Sequence, residues 1–253
     1  MSTMETSFKA RLIFTAAAVL VLIAMNVYAE DNCVSCHKDA KFRIQNKVLF
    51  DYYTYWKESV HDSAGIICID CHGGDETKSG KDAAHKTKDF SSLTANDKTA
   101  HKKIAVVCGK CHKAVYKNFK ASKHYTSLRK DRNGPNCVTC HGSMNTEIYD
   151  ANNIARGCAS CHNEESKQTP ETGKQAENLL TKISIIRAYK RWVTVNYKDS
   201  QPDTAKDIQN QYKDMVLSWH QFNFIRMDEK TQKLLIDLRS LVNKGLAEKR
   251  KNK

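Results

Sequence analysis

Apolar positions near the carboxyl end of the chain recur at three- and four-residue steps, the spacing of one face of an α-helix. They form three runs: Leu179, Leu180, Ile183, Ile186, Tyr189, Trp192 and Val193; then Ile208, Tyr212, Met215, Val216, Trp219 and Phe222; then Leu234, Leu235, Leu238, Leu241 and Val242. The pattern predicts two or three helices that fold back on each other. Pro202 marks a break, with Asp203 or Thr204 as a cap, and Gly245 with the basic tail ends the last helix.

Residues 31–163 have a different pattern. Their segments are short and rich in Lys, Ser, Asp and Gly, and no apolar alternation is long enough for a sheet. The whole chain has a mean hydropathy of -0.61. This part is therefore predicted to form short helices and loops with little apolar core of its own. The fold class is mostly α, with boundaries at 1–29, 30–163 and 164–253.

The first 29 residues resemble an export signal. Lys9 and Arg11 precede an apolar run over 12–25, and Ala29 offers a small residue before an acidic pair. This pattern is typical of a secretory signal that is cleaved after Ala29. An uncleaved membrane anchor is the alternative, although the run is short for a span. Either way, the body of the protein is predicted to be periplasmic or extracellular.

All ten cysteines fall into five CxxCH motifs. They are Cys33, Cys36 and His37; Cys68, Cys71 and His72; Cys108, Cys111 and His112; Cys137, Cys140 and His141; and Cys158, Cys161 and His162. Two thiols at this spacing each add to one vinyl group of the same porphyrin, and the adjacent His becomes the proximal iron ligand. The motifs therefore predict five covalently attached haems c. A zinc site, a thiol redox pair or a disulfide framework would not need His after every second Cys.

Haem also accounts for the polar composition, because porphyrins would supply the missing apolar core. The apoprotein is then expected to be largely unfolded. The motifs begin at irregular intervals, so the chain is not a tandem repeat. The apolar face of the C-terminal helices is expected to cover one or two haems, or to serve as a dimerisation surface.

Five histidines remain as candidates for the distal iron ligands: His61, His85, His101, His124 and His220. His61 and His101 each lie seven residues before a motif, which favours a shared role. His85 lies in a charged stretch, where a solvated histidine is the alternative. His220 lies on an apolar helical stripe, where a core histidine is the alternative. Met is also an axial ligand of haem iron, but packing is the favoured role of Met144, Met215 and Met227.

Several stretches resemble multihaem cytochromes of the cytochrome c554 and hydroxylamine-oxidoreductase type. They are His61 to Asp75, Ala84-His85, Ser122 to His124, and Gly134 to Gly142. The resemblance covers residues 31–163 and implies a mostly helical fold with closely spaced haem pairs. It implies His61, His85, His101 and His124 as distal ligands. Membrane-anchored quinol dehydrogenases are a second comparison, but their first motif has a Met two residues beyond the haem His, where this chain has Asp39.

The formal net charge of +13 favours acidic redox partners or anionic membrane surfaces. Nucleic-acid binding is not expected of an exported protein. No CxxCK motif is present, and a spare His for each iron favours a non-enzymatic electron carrier. The alternatives are a small reductase of nitrogen or sulfur oxyanions with one open haem, and a homo-oligomer or haem filament built through the C-terminal helices.

Overall fold

The computed structural model describes residues 31–93, 99–130, 134–145, 151–166 and 169–251, and every regular element in these ranges is an α-helix. The predicted export signal lies outside them. The helices are α1 (Asn32–His37), α2 (Ala40–Gln45), α3 (Lys47–Lys57), α4 (Val60–Ser63), α5 (Cys68–His72), α6 (Lys81–His85), α7 (Ala100–Cys111), α8 (Lys113–Lys120), α9 (Lys123–Lys130), α10 (Cys137–His141), α11 (Ala151–Ala159), α12 (Thr172–Tyr197), α13 (Pro202–Trp219) and α14 (Phe224–Lys251). None of these helices combines the length and apolar character needed to cross a bilayer.

The three C-terminal helices pack on one another, as the apolar spacing predicted. Their shared core includes Leu179, Ile186, Val193, Ile208, Met215, Met227, Leu234 and Leu238, all buried. Helix α13 begins with Pro202 at its first position, after Gln201 as the N-cap, so the predicted caps at Asp203 and Thr204 were wrong. Proline suits this position because its fixed φ matches the helix and its missing N–H has no helical partner there.

Gly245 does not end the last helix, contrary to the prediction. Helix α14 continues to Lys251, and Gly245 is buried inside it. A Cβ atom at this position would lie 2.5 Å from Cη2 of Trp192 and 2.9 Å from Oη of Tyr197. The glycine therefore allows α14 to approach α12 closely, and packing outweighs its low helix propensity.

The part of the chain that carries the first four motifs has a thin protein core. Its buried apolar side chains are Trp56, Ala100, Ala105, Phe119 and Leu128. Ile44 and Val48 are 85% and 62% exposed. Hydrophobic burial dominates folding stability, so contacts among these short helices contribute little to the free energy of folding. This is the packing expected where a bound apolar group completes the core.

The helix that carries the start of the fifth motif packs against the C-terminal helices. Helix α11 lies against α12, and Ile154 and Cys158 pack against the C-terminal core. Helix α13 also contacts α8. The C-terminal helices are therefore continuous with the motif-bearing part, and packing crosses the boundary expected near residue 163.

Candidate haem sites

Each CxxCH motif lies on a short helix or at a helix end. The second and fourth motifs form α5 and α10 completely, the third closes α7, and the fifth begins in the last turn of α11 and continues past its end. A helical turn brings residues three apart to the same face, so the two thiols of a motif point to one side. Gly73 and Gly142, directly after His72 and His141, have φ of 68° and 74°, which ends each helix as glycine commonly does.

Side-chain caps fix the start of two motif helices, α1 and α10. The Asp31 side chain accepts a hydrogen bond from the Cys33 amide at 2.8 Å. The Asn136 side chain accepts from the amides of Val138 and Thr139 at 3.1 and 3.3 Å. A capping side chain satisfies donors that a helix start leaves unpaired. The motif backbone is thus ordered by short-range contacts.

All ten cysteines are free thiols. Burial raises the pKa of Cys33 to about 12, and it raises the pKa of Cys68 and of Cys140 to about 11 each. Redox-active CxxC pairs have a thiol with a lowered pKa. Cys137 is the exception, because a hydrogen bond from the Cys108 thiol lowers its pKa, but Cys108 belongs to a different motif. The raised pKa values within the other motifs therefore favour protonated thiols over a thiol–disulfide redox centre.

Four of the five motif histidines lie beside a spare histidine. The ring centroids are 6.3 Å apart for His37 and His85, 6.1 Å for His112 and His61, 6.0 Å for His162 and His124, and 6.3 Å for His141 and His220. Every pair joins one proximal candidate to one distal candidate. No pair joins a spare histidine to the motif nearest in sequence after it.

These separations fit an iron atom between the rings. A metal–imidazole nitrogen bond is about 2 Å long, and each ring centroid lies about 1 Å beyond its nitrogen, which gives roughly 6 Å between centroids on opposite sides of one iron. A porphyrin supplies four further donors, so haem iron takes only two ligands from the protein. Among the described residues, no group of three or more His, Cys, Asp or Glu side chains is placed to hold a bare metal ion.

Hydrogen bonds orient several of these rings. Nδ1 of His85 donates to the Lys81 carbonyl at 2.8 Å, and Nδ1 of His220 donates to the Val216 carbonyl at 3.1 Å. Nδ1 of His162 lies 2.9 Å from the Thr169 hydroxyl. A metal-binding histidine commonly uses its second ring N–H in this way, which leaves Nε2 for the metal.

Burial favours the neutral imidazole in one histidine of each pair. Desolvation lowers the pKa of His37, His61, His124 and His220, and the paired histidine lowers each of them further. The neutral form is the one that binds a metal. His124 also has a buried Nδ1 with no hydrogen-bond partner. An unsatisfied buried polar atom is costly, and a bound group beside it would reduce that cost.

The C-terminal helices reach into the motif-bearing part through the turn that follows α13. The Phe222 ring lies 4.5 Å from that of His124 and 6.4 Å from that of Phe119. His220 precedes it and faces His141. The same turn therefore contributes one distal candidate and packs against another. Met215 and Met227 are fully buried in the C-terminal core, in agreement with the packing role expected for them.

His72 and His101 are not joined by a ring contact to each other or to another histidine. Nδ1 of His72 donates to the Ser91 carbonyl at 2.9 Å, and the Ser91 amide donates back to the His72 carbonyl at 2.7 Å. His101 has both ring nitrogens engaged. Its Nε2 lies 2.9 Å from the Gly134 carbonyl, and its Nδ1 lies 2.9 Å from Nδ2 of Asn136. The shared offset of His61 and His101 therefore does not give them a shared environment.

Successive motifs are neighbours in space. The Cys108 and Cys137 thiols are hydrogen-bonded, and electrostatic interactions join Cys33 to Cys68, Cys71 to Cys108, and Cys140 to Cys158. The Asn32 side chain also donates to the Glu76 carbonyl at 2.9 Å, which ties the first motif to the second. Helix α10 packs against α7 and α11. The five motifs thus follow one another in space in the order of the sequence.

Sequence reasoning missed three residues that build these sites. Ser91 fixes His72, Asn136 caps α10 and binds His101, and Gly134 permits close packing. A Cβ atom on Gly134 would lie 2.2 Å from the His124 carbonyl oxygen and 2.4 Å from the Leu128 amide nitrogen. An Asn directly before a CxxCH helix is a recognisable capping signal. Ser91 contacts His72 through its backbone carbonyl and amide, which every residue type other than proline has, so the sequence gives no signal for this contact.

Comparison of the chain with protein-family models, curated proteins and solved structures finds no match.

Proposed function

We propose that the protein is an exported pentahaem c-type cytochrome that transfers electrons between redox partners. The observation that carries the proposal is the set of four histidine pairs. Each combines the histidine of a CxxCH motif with one distant in sequence, at the separation that an intervening iron requires. Unrelated core contacts would not be expected to select one motif histidine every time.

The residues have distinct roles in this proposal. The ten cysteines bind the five porphyrins through thioether links, and the motif histidines are the proximal ligands. His85, His61, His220 and His124 are the distal ligands of the first, third, fourth and fifth haem respectively. Bound haem supplies one-electron redox chemistry. In several cases the protein fixes the orientation of an axial imidazole by a hydrogen bond at Nδ1.

The contacts between successive motifs support a relay in chain order. Electrons would enter near one end of the series and pass through neighbouring haems to the other. The proximity of the thiols, to which the porphyrin edges would be bonded, makes these edges close to one another. Short edge distances are what efficient electron transfer requires.

The basic surface supports an acidic redox partner or an anionic membrane face as the docking target. The formal net charge of +13 is lowered by the propionates that haem adds, but attraction to negative surfaces raises association rates until salt screens it. The relevant measurement is electron-transfer rate with an acidic partner as ionic strength increases. The rate should fall.

The decisive experiment is expression in a host that attaches haem c, followed by mass spectrometry and a haem assay on the purified protein. Five covalent haems per chain are expected. A variant with Cys158→Ala and Cys161→Ala should carry four, and it is matched by Ser160→Ala, which should retain five. Absence of covalent haem in the wild-type protein, or stoichiometric zinc in its place, would overturn the proposal.

A further inference from the structure

We infer that Phe222 and Thr169 are positioning residues, which use strained backbone to fix the two imidazoles of the fifth haem site. The inference rests on the proposed function, because it takes His124 and His162 as the axial ligands of that haem. The centroids of these two rings lie 6.0 Å apart, and the ring planes are inclined by 54°. Each ring contacts one residue whose backbone is in the left-handed region.

Backbone strain marks few positions in the described part of the chain. Three residues other than glycine have a positive φ there: Leu93 at 51°, Thr169 at 36° and Phe222 at 54°. Bulky and β-branched residues avoid this region, because Cβ comes too close to the following carbonyl oxygen. Such strain persists only where the surrounding structure enforces it, and it clusters at functional sites. Two of the three strained residues contact the two ligands of a single haem site.

Phe222 fixes His124 by packing. The two ring centroids are 4.5 Å apart and the planes are inclined by 64°, an edge-to-face arrangement. Nδ1 of His124 is buried and has no hydrogen-bond partner. His124 therefore lacks the polar contact at Nδ1 that orients His85 and His220, and the aromatic contact with Phe222 takes its place.

Contacts with two helices enforce the strained turn that carries Phe222. The Phe222 amide donates to the Trp219 carbonyl at 2.9 Å, which closes the end of α13. The neighbouring Gln221 side chain donates to the Asn118 side chain on α8. The Phe222 ring also lies edge-to-face against Phe119 of α8. These contacts keep the ring against His124 although the backbone conformation is unfavourable.

Thr169 fixes His162 by a hydrogen bond. In the tautomer that leaves Nε2 to the iron, Nδ1 of His162 donates to the Thr169 hydroxyl at 2.9 Å. The Thr172 hydroxyl donates to the same oxygen at 3.0 Å, and the Thr172 amide donates to the Thr169 carbonyl at 3.0 Å. The start of α12 thus enforces the conformation of Thr169, which directly precedes Pro170 and is restricted by it as well.

These two contacts act on both axial rings of one site, so together they set the angle between the ring planes. A ligand set that is locked by its supporting contacts keeps its geometry within narrow limits. Fixed ligands need little rearrangement when the iron changes oxidation state, which favours fast electron transfer. The fifth motif is the last of the series, so this site is suited to exchange electrons with a partner at that end.

The test is electron paramagnetic resonance of the oxidised holoprotein, in which the fifth haem is identified first. Its low-spin signal is the one absent from the four-haem variant with Cys158→Ala and Cys161→Ala. Phe222→Gly and Thr169→Val should each shift or broaden this signal and move one of the five midpoint potentials, while the other four signals stay as in the wild type. Phe222→Tyr keeps the ring and Thr169→Ser keeps the hydroxyl, so both should retain the wild-type signal.

Leu93→Gly is the matched control, because it removes the same kind of strain from a different part of the chain. The fifth signal should be unaltered in this variant, and a change there would overturn the inference. The inference is also wrong if Phe222→Gly or Thr169→Val leaves the fifth signal as in the wild type, or alters all five signals alike. Phe222→Leu serves if the glycine variant does not fold. In each of these cases five covalent haems would still support the proposed function, whereas a wild-type protein without covalent haem would defeat it.

Discussion

The imidazole ring of His220 lies 6.3 Å from that of His141, and the two planes are inclined by only 24°. The other three pairs are inclined by 73°, 61° and 54°. Two iron d orbitals can overlap with the π systems of the axial rings. Nearly parallel rings interact with the same one of these orbitals and separate the two in energy, whereas crossed rings leave their energies similar. The fourth haem is therefore expected to differ spectroscopically from the other three bis-histidine haems.

Substitution of His220 by Met should alter the fourth haem alone. The low-spin signal with the most rhombic shape should disappear from the electron paramagnetic resonance spectrum of the oxidised protein. Methionine ligation raises haem potentials, so one midpoint should rise, on the order of 0.1 V within the roughly 0.8 V range that axial ligands set. Spectroelectrochemistry measures the shift.

Lys206→Ala is the control for this change, because Lys206 is exposed on the same helix. Its spectrum and midpoints should match the wild type. If His220→Met leaves all midpoints and signal shapes unaltered, His220 does not bind the fourth iron.

Substitution of Gly134 by Ala should strongly destabilise the motif-bearing part. The new Cβ would lie within 2.4 Å of two backbone atoms in α9, which cannot move aside as a flexible side chain would. Overpacking typically costs 1–3 kcal/mol, so a loss of about 3 kcal/mol is expected from chemical denaturation. The altered position of α9 should also disturb His124.

Gly65→Ala provides the comparison. Gly65 has a φ of 76°, but a Cβ there would have no atom within 4 Å. Only backbone strain remains, which costs about 1–2 kcal/mol. Equal losses for the two variants would mean that close packing at Gly134 is unimportant.

The apoprotein should be folded only in its C-terminal part. Helices α12 to α14 share a protein core, whereas the helices around the first four motifs have few buried apolar side chains. Hydrogen exchange of a chain made without haem attachment should show protection within residues 172–251 and rapid exchange within residues 31–93. Uniform protection across both regions would show that haem does not complete the core.

Alkaline destabilisation should depend on Tyr116. Burial raises the pKa of Tyr116 to about 12, and the Tyr125 hydroxyl 3.2 Å away adds to the rise. An unfolded tyrosine ionises near pH 10. The raised pKa therefore contributes stability that is complete below pH 10 and lost as the pH rises from about 10 to 12.

The measurement is the urea midpoint at pH 8 and pH 11. Tyr116→Phe should lose less stability between these values than the wild type does. Tyr52→Phe changes a tyrosine that is 37% exposed and should behave like the wild type. If Tyr116→Phe and the wild type lose the same stability between pH 8 and pH 11, ionisation of Tyr116 is not the cause of the alkaline destabilisation.

The sequence predicted the helices where one physical rule decided the outcome. The three apolar runs match α12, α13 and α14 because burial of one face governs long amphipathic helices. The sequence-based prediction was wrong at Gly245. Glycine often ends a helix, but here it lies inside α14, where its lack of a side chain allows contact with Trp192 on another helix. Such contacts depend on which helices meet, and local patterns do not contain that information.

The same distinction applies to the candidate sites. The CxxCH motifs are local, so each could be located from spacing alone. The partners of the histidines are set by tertiary packing, which brings His61 to His112 although His61 lies closer in sequence to Cys68. The difference between His61 and His101 depends on Asn136 and Gly134, whose contacts with His101 form only in the folded chain.

The distance along the chain between paired histidines has a consequence for biogenesis. On the proposed export route the chain emerges amino end first, so each proposed ligand pair can close only when its later member has crossed the membrane. The first pair closes after His85, the third after His112 and the fifth after His162. The fourth pair closes only after His220, which is the C-cap of α13. Completion of that haem thus requires nearly the whole chain to be translocated, and a truncated product would retain a reactive, incompletely ligated iron.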